Sequence, residues 1–222
     1  MIIGSEHKFK GVSMNVDTVN IKNWIKLGII SGLLASVIYP LLIFVPMPMI
    51  FQVILIMAWG PLHGLTAVGG YYVLALHKKT ISLKIAVVSQ IIAGVLVTTM
   101  LLIQYALRIS KPEVIDPVSK WAWNSLNHVQ LGIDVAWDVY LFLGCILFAI
   151  NMFNHPKFGK IFSLTGILIS LLLIGFNIIT FPTPPAEAGS FDLGPILGLW
   201  GLAVTINILV KYKWVNSKLN AL

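Results

Sequence analysis

Two aspartates one helical turn apart, Asp134 and Asp138, stand inside an apolar stretch of this chain. Gln130 precedes them by another turn, Asn127 lies seven residues before Asp134, and Cys145 lies seven beyond Asp138. At 3.6 residues per turn these side chains fall on one helix face, with Trp137 beside it. Two carboxylates at this spacing repel when both are ionised. Such a pair could carry a proton, hold a cation, or act as general acid and base. The competing role is a hydrogen-bonded pair that fixes helix packing.

His63 is the second candidate. It follows Gly60-Pro61, where a proline removes one backbone hydrogen bond from an apolar helix. Together, His63, Asp134 and Asp138 would form a His-Asp-Asp cluster able to hold a divalent metal or assist the acid pair. No HExxH or CxxC spacing accompanies them, so the sequence assigns no metal and names these three as the only candidates for one. His128 lies off the aspartate stripe, and His77 and His155 sit beside lysines, where solvation is expected. Gln52, Gln104, Asn177 and Thr180 fall at the same end as the aspartates, and Gln90 falls nearer the other. An outward-opening pocket between helices, lined by Asn127, Gln130, Asp134, Trp137, Asp138 and His63, would use most of these groups.

These residues need a membrane bundle to position them. Six apolar stretches, 24–45, 49–76, 82–107, 127–152, 159–180 and 193–211, are each long enough to cross about 30 Å of hydrocarbon. The second is read as one long helix kinked at Pro61, because 49–59 alone is too short to cross. Pro46-Met47-Pro48, His77 to Thr80, residues 108–126 with Pro112 and Pro117, Asn154 to Lys157, and the Pro-rich run from Phe181 to Asp192 are the connections. Asp192 is placed to cap the sixth helix, and its loop could lie as a lid over the outer pocket.

The charges set an orientation. Lys8, Lys10, Lys22, Lys26, Lys78, Lys79, Lys84, Lys157, Lys160, Lys211, Lys213 and Lys218 fall on one side, against Arg108, Lys111 and Lys120 on the other. Glu113, Asp116, Glu187 and Asp192 accompany the second group. The positive-inside rule puts the lysine-rich side in the cytoplasm. The expectation is therefore an all-α, polytopic transmembrane bundle of about six spanning helices in the cell membrane, with both termini cytoplasmic. Residues 1–23 form an N-terminal tail, 24–211 the transmembrane domain, and 212–222 a C-terminal tail. Trp121 and Trp123 read as an interfacial belt, with a roof over the pocket as the alternative.

Composition agrees. Hydrophobic residues make up 58% of the 222 and charged residues 10%, well below the roughly 25% of a soluble domain. The net charge of +7 comes from lysines at span ends, where lipid headgroups are the partner expected and nucleic acid is not. One cysteine excludes an intrachain disulfide. No selectivity-filter motif suggests a channel.

Gly60-Pro61-Leu62-His63-Gly64-Leu65 and Gly194-Pro195-Ile196-Leu197-Gly198-Leu199 share a GPxxGL pattern, which an old duplication of helix pairs would explain. Leu27 to Leu34, Leu76-His77-Lys78-Lys79, and Phe142-Leu143-Gly144 through Phe158-Gly159-Lys160 and Gly166-Ile167-Leu168 resemble a family of uncharacterised six-span bacterial integral membrane proteins. The resemblance implies the fold and no activity or cofactor. Three functions are compatible with the residues. One is a carrier or sensor that binds a small molecule or lipid. The others are an intramembrane enzyme using the aspartates with His63, and an accessory subunit whose polar face meets another membrane protein.

Overall fold

The computed structural model describes residues 6–111 and 116–221, with side chains from Asp17 onward. Pro112 and Glu113 lie outside the described residues. The apolar runs form helices α1 (Glu6–Phe44), α2 (Met49–Ala75), α3 (Ile81–Ser110), α4 (Pro117–Met152), α5 (Gly159–Thr180), α6 (Gly194–Val210) and α7 (Tyr212–Leu219). Five are long and apolar enough to cross a membrane, and the bent pair α6–α7 would make a sixth. The protein is thus an all-α polytopic transmembrane bundle.

The helices form a closed ring. Each of α1 to α5 packs on its successor, α5 packs on α6, and α6 returns to α1. Glycines set the closest approaches. A Cβ on Gly28 would strike the Gly69 backbone, and a Cβ on Gly60 would strike that of Gly94. These pairs let α1 meet α2, and α2 meet α3, backbone to backbone, which is how membrane helices gain van der Waals contact. Helix α2 continues through Gly60-Pro61 as one helix.

Three boundaries differ from those read in the sequence. Helix α4 starts ten residues before the expected 127, because Asp116 caps it through Val118 N–H (2.9 Å) and Ser119 N–H (3.0 Å), and Pro117 fits the first turn. Trp121 and Trp123 therefore ride on α4. Trp121 is exposed, whereas Trp123 donates to Leu107 O at 3.0 Å. Helix α1 begins at Glu6, inside the stretch read as a tail. After α6 the chain bends by 60° into α7, whose Val215 and Leu219 are buried, so the stretch read as a C-terminal tail packs on the bundle.

His155 also departs from expectation. It is 2% exposed, enclosed by His77, Phe158 and Trp214 rings at 5.0–5.2 Å. The cause is α7, which brings Trp214 over the α4–α5 turn. The two GPxxGL segments hold different places as well: one lies in the middle of α2, and the other begins α6.

Candidate functional site

The polar face of α4 meets its two neighbours at different levels. Near the lysine-poor end Gln130 is buried and accepts from Gln104 of α3 at 2.8 Å, while its own amide donates to Asn127 at 3.2 Å. Two turns further along, Asp138 is 6% exposed, and its Oδ2 accepts from Asn177 Nδ2 of α5 at 2.7 Å. Asn177 also donates to Leu173 O, and its Oδ1 is buried without a hydrogen-bond partner.

Asp138 lies towards the lysine-poor end of the bundle. It is level with Asn177, three residues from the end of α5, about 5 Å along the axis. The first turns of α4 therefore rise beyond the end of α5.

Other acids gather at this level. Half-buried Asp134 lies close enough to Asp138, Glu187 and Asp192 to feel their charge. The α5–α6 connection brings Glu187 and Asp192 there, with Pro184 and Pro185 buried beneath it. Asp192 is not the cap residue of α6, which is Leu193, but its Oδ1 accepts from Gly194 N–H at 2.8 Å. A row of aromatic rings completes the end. Tyr39 of α1 stacks on Trp59 of α2 at 5.3 Å, and Trp59 meets Trp137 of α4 edge-on at 6.1 Å. Tyr39 lies within electrostatic reach of Asp192 and Asp134.

His63 belongs elsewhere. Its Nε2 bonds to Gln90 Oε1 of α3, and Gln90 Nε2 donates to Leu141 O and Cys145 Sγ of α4, each at 3.2 Å. Those acceptors lie one to two turns beyond Asp138, towards the lysine-rich end. Gly144 leaves the room that the Gln90 amide occupies. Among the described residues no group of three His, Cys, Asp or Glu is close enough to hold a metal, so the His-Asp-Asp cluster is not assembled.

Gln90 is thus the polar residue whose role sequence reasoning missed, and Asn177 was recognised only as one polar group among several. A lone glutamine or asparagine in an apolar helix signals a buried partner without saying which.

A cavity of about 100 Å³ opens beside His63 and Gln90. It lies in the lysine-rich half, inside the ring, against α1, α2, α4 and α6. Apart from His63, Gln90, Cys145 and two threonines its wall is apolar or glycine.

Fold and site together define an integral membrane helical bundle with two separate buried polar centres. No protein-family model matches the chain, and no curated protein or solved structure matches it.

Proposed function

We propose that this protein binds a small molecule at its lysine-poor end, as a carrier or sensor, with Asp138 as the central contact. One observation supports the reading most directly. Asp138 is a buried carboxylate whose hydrogen-bond partner is one neutral amide, and the charged groups near it are the acids Asp134, Asp192 and Glu187. A buried carboxylate normally has a cationic partner or carries a proton. A ligand with a positive charge or several N–H donors would supply what the protein does not. The Tyr39, Trp59 and Trp137 rings add faces that attract a cation.

The same reading puts the lysine-rich end, and both termini, in the cytoplasm. The site then lies at the outer side. The enzyme alternative loses its main support, because His63 does not meet the aspartates. In the accessory-subunit alternative the polar face of α4 would meet another membrane protein, whereas Gln130 and Asp138 on that face have partners in Gln104 and Asn177 of this chain.

Choline and linear alkylamines are suitable probes. In lipid nanodiscs they are expected to raise the melting temperature of the wild-type protein, with saturation, and to leave Asp138→Asn unmoved. A ligand at about 100 times its dissociation constant stabilises by about 2.7 kcal/mol, enough for a measurable shift. Equal shifts in both proteins would overturn the assignment of Asp138.

A further inference from the structure

We infer that the cavity in the lysine-rich half is a second binding site, for an apolar molecule carrying one hydroxyl donor, such as a phenol. Hydrogen-bond accounting fixes the polar end. Gln90 uses its amide N–H groups on Leu141 O and Cys145 Sγ, so Oε1 is the atom that faces His63. An amide oxygen only accepts, so His63 Nε2 carries the proton. In the neutral ring Nδ1 is then an acceptor, on a side chain that lines the cavity. A hydroxyl group is the complementary donor.

The body of the ligand follows from the walls. Ile29, Phe148, Trp200 and Ile208 give apolar surface, and the cavity of about 100 Å³ has the scale of one ring or a short chain. An apolar cavity of roughly 150 Å³ stays dry and takes benzene. Two lining glycines keep the space open. A Cβ on Gly70 or Gly201 would meet nothing within 4 Å, unlike one on Gly28 or Gly69, whose helices touch. Close helix packing therefore accounts for Gly28 and Gly69 and leaves Gly70 and Gly201 as the positions that hold the cavity open.

The test compares phenol with anisole, its methyl ether, which lacks the donor. Binding to the full chain in nanodiscs is followed by saturation-transfer NMR. Wild type is expected to bind the phenol about fivefold more tightly than the ether, the scale of one hydrogen bond. Gly201→Leu, which fills the cavity and favours the helix, is expected to weaken both probes at least tenfold. His63→Phe is expected to bind the two alike. Equal affinity of wild type for phenol and ether would overturn the hydroxyl assignment. Undiminished binding to Gly201→Leu would overturn the site and mark the signal as partition into lipid. Because Gly201→Leu and the probe pair leave His63 intact, the test holds even where His63→Phe does not fold.

Discussion

Asn177 donates to Asp138 Oδ2 at 2.7 Å, and this single bond ties α5 to α4 beneath the Pro-rich connection. Both side chains are nearly inaccessible, Asp138 at 6% and Asn177 at 2%. Removing either partner leaves a buried polar group alone, which costs about 1–3 kcal/mol. Asn177→Leu is therefore expected to destabilise the protein by that amount. Asp138→Asn, which keeps an oxygen acceptor, should cost less. The double variant Asp138→Leu/Asn177→Leu should recover part of the loss, since no polar group is stranded. Denaturation in a mixed-micelle titration would show the order, and additive losses would count against a specific pair.

The ring closure depends on glycine contacts that can be tested one by one. Gly60→Ala is expected to cost about 1–3 kcal/mol, the scale of overpacking, because the new Cβ would meet the Gly94 backbone, which cannot turn aside. Gly132→Ala, on exposed α4 surface with nothing within 4 Å, should be neutral or slightly stabilising. Comparable losses at both sites would contradict the close α2–α3 approach.

Gly144 and Gln90 make a coupled pair. Gly144→Ala is expected to displace the Gln90 amide and with it the bond to His63. In a Gln90→Ala background the same change should be tolerated, giving a coupling energy of about 0.5–3 kcal/mol in a double-mutant cycle. Additivity would show that Gly144 does not make room for Gln90.

Much of this architecture was readable from hydropathy. Each of the six apolar stretches falls within a helix to within one residue at either end, because a chain in lipid must satisfy its backbone inside each segment. Polar turns hid the rest. The first ten residues of α4 read as loop until the Asp116-Pro117 cap is recognised, and α7 reads as a tail because it is only eight residues long and carries Lys213 and Lys218. The stripe Asn127, Gln130, Asp134, Asp138 was legible because it repeats on one helix. Its partners were not, since Gln104 and Asn177 come from other helices. Whether His63 meets the aspartates was open in the sequence, and ring order decides it: α3 lies between α2 and α4 and offers Gln90 to His63 instead.

His155 gives a pH dependence outside the membrane-spanning segments. Burial, and next the neighbouring His77, lower its pKa from 6.5 to about 4; Lys157 acts in the same direction. The unfolded chain then takes up the proton first. The contribution of this turn is complete above pH 6.5, is lost as pH falls from 6.5 towards 4, and levels off below. The wild-type melting temperature is expected to drop by a few degrees across that window, and His155→Phe should remove most of the drop. A slope unchanged in the variant would assign the effect to other groups.

The central claim is that the lysine-poor end holds a ligand through Asp138 independently of the cavity beside His63. Native mass spectrometry of protein released from native nanodiscs, with wild type beside Asp138→Asn and His63→Ala, tests it most directly. The account predicts a bound small molecule on wild type and His63→Ala that is absent from Asp138→Asn. An identical spectrum for all three proteins, or loss from His63→Ala alone, would contradict it.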